Sequence, residues 1–149
     1  MELIRENKVK HRATFFCGDR YRKEWYNVSP IWIGYHVQLL NKVVPGYVLD
    51  FGDYWIEYKI IPGVPANTFT HTPEFIDQIY KFCISNIKET SPYVHGDWSL
   101  SNIIINGNTL TMCDWDNLGE YDSADVLQKL NSDLTNAFGA AFQQYIQQF

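Results

Sequence analysis

Asp97, Asn102 and Asp114 are the side chains around which this sequence concentrates its chemistry. They lie in two short segments, His95-Gly96-Asp97-Trp98-Ser99-Leu100-Ser101-Asn102 and Asp114-Trp115-Asp116. A loop carboxylate can accept a hydrogen bond from an incoming hydroxyl and orient it for attack. An amide oxygen and a second carboxylate are hard donors suited to magnesium, which completes its octahedron with phosphate oxygens and water. Such a set serves phosphoryl transfer, where positioning and charge stabilisation supply nearly all the catalysis. Each residue alone has a plainer reading, because an Asp in a loop caps turns and an Asn beside a strand bonds its own backbone. The ordered set and its strand-hairpin-strand context carry the functional reading.

Those side chains need elements to hold them. Ile103-Ile104-Ile105 reads as a buried strand and Asn106-Gly107 as a hairpin turn. A second strand from about Leu110 to Cys113 then returns Asp114 beside Asn102. Upstream, Thr72 is a good N-cap, Pro73 suits the first helical position, and Glu74 suits the positive end of the dipole. Ile76, Ile79, Tyr80, Cys83 and Ile87 follow at helical spacing, giving an apolar face to support the loop after Ser91-Pro92. Beyond Asp116, residues 117–121 read as a loop. Asp122 to Phe149 reads as one or two helices, with Leu127, Leu130, Leu134, Phe138, Phe142 and Ile146 on one stripe and Gly139 as a break or close packing point.

The first part of the chain is strand-rich. Ala13 to Cys17, Gly18-Asp19 and Arg20 to Tyr26 form a predicted hairpin that sets Tyr21, Lys23 and Trp25 on one face. Ser29-Pro30 reads as a helix start, with Ile31, Ile33, Val37 and Leu40 as its apolar stripe through about Asn41. Tyr47 to Phe51 and Tyr54 to Ile61 are two further strands around Gly52-Asp53, ending at Pro62-Gly63.

His-Gly-Asp with the following Asn102, and then Asp-Trp-Asp, resemble the catalytic core of the kinase-like superfamily. His-Gly-Asp in place of His-Arg-Asp, and Asp-Trp-Asp in place of Asp-Phe-Gly, resemble its aminoglycoside phosphotransferase and choline kinase branch. The resemblance runs from about residue 13 to about residue 127. It implies an α+β, minimal protein-kinase-like fold in one domain over residues 1–149. A small antiparallel β lobe with one helix would occupy about residues 1–61. A reduced helical lobe carrying the catalytic β-hairpin would occupy about 62–149. The implied activity is ATP- and magnesium-dependent transfer of phosphate to the hydroxyl of a small molecule of choline-like, amino sugar or aminoglycoside class. In that scheme Asp97 is the catalytic base and Asn102 and Asp114 hold Mg2+. Lys23 neutralises the phosphates, Arg20 or Arg22 serving instead after a register shift. Backbone groups at Lys59, Ile60 and Ile61 meet the adenine. His95 is a scaffold residue. Trp98 and Trp115 pack the core, the alternative being a platform for a sugar or a quaternary ammonium group. Asp125 either braces the metal loop or is a plain helix acid.

The sequence also departs from the family pattern. No acidic residue lies between Ser29 and Lys42, which leaves Gln38, His36 or Glu24 to face the lysine. No glycine precedes Gly18, so the glycine-rich loop over the phosphates has no counterpart. The missing helix glutamate and glycine loop make a catalytically weak or inactive pseudokinase, a nucleotide- or partner-binding module, the second reading. A protein-kinase activity ranks third, because position 99 is Ser where protein kinases and many relatives place a cationic or imidazole side chain, and no activation segment is recognisable between Asp114 and the final helices. Family members carry further helices beyond this point, so the acceptor site is either open or completed by a second subunit of a homodimer.

A net charge of -5 with no long basic run argues against nucleic acid as a partner. Cys17, Cys83 and Cys113 are odd in number and set among apolar neighbours, which suits reduced, buried thiols. With no apolar leader and no long apolar stretch, the expectation is a soluble, cytoplasmic protein without membrane contact.

Overall fold

The computed structural model describes residues 1–148 as an α+β protein with antiparallel sheets. Its internal contacts separate two compact units, Met1–Ile60 and the chain from Ile61 onward.

In the first unit, β1 (Glu2–Asn7), β2 (Arg12–Phe16), β3 (Arg20–Trp25), β4 (Val48–Phe51) and β5 (Trp55–Lys59) form one sheet in the order β1-β2-β3-β5-β4. Helix α1 (Pro30–Val43) lies between β3 and β4 in the chain. The Ser29 hydroxyl caps it, accepting from the Ile31 N–H at 3.1 Å. Lys23 pairs with Ile56 and Tyr21 with Tyr58, so Tyr21, Lys23 and Trp25 share a face as expected. Trp25, Ile56 and Tyr58 are buried, as are Ile33, Val37 and Leu40 of α1. The other face of β3 is bound up in charge. Glu57 accepts from Arg20 Nη1 at 3.1 Å and from Arg22 Nη1 at 3.3 Å, while Arg22 Nε reaches Glu24 at 3.0 Å. The Arg22 guanidinium also lies 4.1 Å from the Trp55 ring centroid. This ladder fixes the register that the sequence left open: Arg20 and Arg22 do not share the face of Lys23.

One expectation fails here, and one element was not foreseen. Ile31 is 83% exposed, because it stands about 200° around the helix from Ile33, away from the buried stripe. Strand β1 was not foreseen: its side chains are exposed nearly throughout, so no apolar alternation marks it and backbone pairing with β2 holds it. The β1–β2 turn, residues 8–11, contains no glycine; the Asn7 side chain accepts from the Lys10 N–H at 3.0 Å, and His11 takes a positive φ of 53°.

The second unit comprises β6 (Val64–Pro65), α2 (Pro73–Thr90), β7 (Tyr93–Val94), β8 (Ile103–Asn106), β9 (Thr109–Met112), β10 (Gly119–Glu120), α3 (Ser123–Phe138) and α4 (Ala140–Ile146). Thr72 caps α2, its hydroxyl accepting from the Phe75 N–H at 3.1 Å. Helix α2 packs on α3, α4 and β7. Ile76, Ile79, Cys83, Leu130, Leu134 and Phe142 are buried. Leu127 is not: it is 50% exposed, and Val126 takes the inward place one residue earlier. That choice keeps 126, 130 and 134 at i+4 spacing. Gly139, at φ 63°, ends α3 and separates it from α4. Phe149, the last residue of the predicted helical stretch, lies outside the described residues. Among the described residues no helix is long and apolar enough to cross a membrane.

Candidate catalytic loop and hairpin

Two short ladders close the region around Asp97, Asn102 and Asp114. Strands β8 and β9 pair with Ile103 opposite Met112, and the Asn102 carbonyl accepts from the Cys113 N–H at 2.8 Å, extending the ladder by one step. Gly107, at φ 61°, makes the turn. At the other end β7 pairs with β10, Val94 opposite Gly119 and Tyr93 opposite Glu120. Segments 95–102 and 113–118 are thereby held side by side. The second ladder falls where the sequence pattern promised only a loop, since a two-residue strand has no periodicity to read.

His95 joins the two segments. It is fully buried, its Nδ1 accepts from the Asp97 N–H at 3.1 Å, and its Nε2 lies 2.8 Å from the Cys113 carbonyl oxygen. Accepting at Nδ1 assigns the proton to Nε2, which donates to Cys113. Burial holds the imidazole below its ordinary titration range, against the Cys113 bond and the charges of Asp97, Asp114 and Asp116, which act upward. Trp115 meets the imidazole edge-on at 4.6 Å between centroids, and Trp98 lies at 5.7 Å. Both tryptophans are buried, so they are packing and not a substrate platform.

Gly96 sits between His95 and Asp97 at φ +86°. A Cβ there would stand 2.7 Å from the Tyr121 hydroxyl oxygen and 2.9 Å from the Asn117 carbonyl oxygen. Conformation and space both require glycine. Asp97 is half-buried; its Oδ1 accepts from the Ser99 hydroxyl at 2.6 Å and the Ser99 N–H at 3.3 Å. Asn102 is buried, with Nδ2 directed to the Asp97 carbonyl oxygen at 3.4 Å, which turns Oδ1 the other way. Asp114 adopts φ 57°, a left-handed conformation that Asp and Asn tolerate better than most side chains.

The structure thus holds the backbone segments that carry Asp97, Asn102 and Asp114 side by side, through one histidine and one hairpin. The remaining predicted site residues lie elsewhere in the chain. In the first unit, the Lys23 ammonium lies 5.5 Å from the Tyr58 ring centroid. Glu24 cannot serve Lys23, because neighbouring strand residues point to opposite faces and Glu24 pairs with Arg22. His36 is buried and stacked on Trp32 at 4.9 Å. The Lys59 N–H is committed to the Tyr47 carbonyl at 2.8 Å, whereas Ile60 and Ile61 lie beyond the end of β5.

One residue escaped the sequence reading. Asp133 Oδ2 accepts from the Trp98 N–H at 2.9 Å, and its Oδ1 takes the Lys129 ammonium at 2.7 Å, with the side chain only 10% exposed. Asp125, the expected brace, is instead exposed in the first turn of α3. A signal was available: Asp133 falls between Leu130 and Leu134 at core spacing, where an acid must find partners.

The donor chemistry of Asn102 and Asp114 fits a hard divalent cation, with the remaining positions left to phosphate and water. Among the described residues no group of three or more His, Cys, Asp or Glu side chains is arranged to hold a metal by itself. Neither the family models nor the curated proteins compared with this chain contain a match for it.

Proposed function

We propose that this protein transfers the γ-phosphate of ATP to the hydroxyl of a small molecule, with magnesium, on a minimal kinase-like fold. The observation that supports the reading is the pairing of the segments that carry Asp97, Asn102 and Asp114, with His95 bonded to the Asp97 N–H and to the carbonyl of Cys113, the residue before Asp114. Asp97 orients the acceptor hydroxyl and takes its proton as the oxygen bonds to phosphorus. The γ-phosphorus bond to the bridging oxygen breaks, and ADP leaves with the electron pair. Ser99 fixes one oxygen of Asp97, so the carboxylate is held before the hydroxyl arrives. Asn102 and Asp114 would hold magnesium, whose positive charge would offset the charge that develops on the phosphate oxygens. Lys23 would add positive charge, and the chain at Ile60 and Ile61 would contact the adenine. The sheet order, with one helix inserted between β3 and β4, is compatible with the small lobe this reading requires.

Specific observations favour a second reading, a nucleotide- or partner-binding pseudokinase. Helix α1 carries no acidic residue along its length, and the β1–β2 turn has no glycine to let backbone amides approach phosphate.

Thermal stability with ATP, with and without magnesium, tests the reading, paired with a phosphate-transfer screen over small alcohols. Ligand at a hundredfold excess over Kd stabilises by about 2.7 kcal/mol. Asp114→Asn, which tolerates the left-handed backbone, is expected to abolish most of the magnesium-dependent part. Stabilisation indifferent to magnesium, with no transfer to any alcohol, would leave only the second reading.

A further inference from the structure

The acceptor class is written in a groove beside the Ser99 turn. We propose that this groove binds the acceptor and is built for a small, uncharged, polyhydroxylated molecule, a polyol or a single sugar ring. The assignment rests on the phosphotransferase reading above and narrows it. The groove has a volume of 320 Å³, and Asn67, His71, Ser99, Ser101, Asp133 and Asn136 contribute to its walls. Ser99 ties it to the chemistry, since that residue's hydroxyl and N–H both bond Asp97. A molecule that touches Ser99 is one hydrogen bond removed from the Asp97 carboxylate that would orient its hydroxyl.

Leu100 and Ala137 also line the groove and suit the C–H face of a sugar ring, while its polar side chains select the ligand. Amide and hydroxyl side chains from Asn67, Ser101 and Asn136 each donate and accept, which is the same dual capacity that sugar hydroxyls present. Asp133, the acid of the lining, is already engaged by Lys129 and the Trp98 N–H, so it offers little to a cationic amine. A quaternary ammonium group requires aromatic faces. The single ring here, His71, is stacked on Phe75 at 6.1 Å and meets Phe138 edge-on at 4.9 Å. The volume lies at the low end of ligand sites, which run about 300–1,000 Å³, and so suits one ring better than several linked rings. Choline-like and aminoglycoside acceptors fit these walls poorly.

The test uses the full chain with xylitol, glucose, choline and kanamycin as probes. Saturation-transfer NMR without nucleotide reads binding, and coupled ADP release reads turnover. Polyol or sugar binding, with phosphate transfer to one of them, is the expected result. Asn136→Leu and Asn67→Leu change exposed positions and should each raise the acceptor KM by about tenfold, through unpaired ligand hydroxyls. The kcat and the KM for ATP should stay within about twofold. Transfer to choline or kanamycin without polyol or sugar binding would overturn the groove assignment and leave the phosphotransferase reading standing. Wild-type acceptor KM in both variants would overturn it equally. Failure to bind magnesium-ATP, measured with no acceptor present, would instead sink the underlying reading and the acceptor role with it.

Discussion

His95 shows how much one side chain can organise when both ring nitrogens are used. Neutral, it accepts from Asp97 and donates to Cys113; protonated, it could only donate, and the Asp97 N–H would face a donor. The folded protein therefore resists its protonation, as the burial-driven downward shift from 6.5 states. Below pH 6.5 the unfolded chain takes up this proton before the folded chain does, so stability falls as the pH drops through the window between the two values. One such group contributes a slope of at most about 1.4 kcal/mol per pH unit. We expect 13C-histidine NMR to place the His95 midpoint under 6.5 and denaturant melts to weaken from pH 7 to about 5. A midpoint above the ordinary value would contradict the assigned proton.

At the scale of elements, α3 holds the catalytic loop through the Asp133 bond to Trp98. Asp133→Ala leaves that N–H and Lys129 without their partner and should cost about 1–3 kcal/mol. Asp125→Ala, on the same helix but exposed, should change stability by no more than about 0.5 kcal/mol. Urea unfolding of the two variants decides it, and equal losses would show that the helix does not brace the loop through Asp133. Asp125 was the choice the family resemblance implied; Asp133 stands beside Leu130 and Leu134, and the inward stripe set by Val126, not Leu127, takes it in. Helix starts were legible from Ser29-Pro30 and Thr72-Pro73, because capping is local chemistry. The β8–β9 hairpin was legible from Asn106-Gly107 for the same reason. Pairing between distant residues was not. Strands β1, β7 and β10 are defined by their partners, and exposed or two-residue strands leave no pattern of their own.

For the whole molecule, each compact unit has its own buried side chains: Trp25, Ile33, Leu40 and Ile56 in the first, and Ile79, Trp98, Ile103 and Leu130 in the second. Separate cores imply separate opening reactions. Leu40→Ala, a cavity costing about 2–5 kcal/mol, should speed hydrogen exchange in β3 and β5 while α2 and β8 keep their protection. Mass spectrometry would read both sets at once, and uniform acceleration would mean that the units open together. The β7–β10 ladder has a different kind of consequence. Because Tyr93 and Glu120 are paired, the stretch between them departs and returns at a common doorstep. The same stretch carries Trp98 and Ile103 of the second unit's core, and its Trp98 N–H bonds Asp133 of α3. Anything grafted between Tyr93 and Glu120 would have to rebuild that core and the bond to α3 along with the loop.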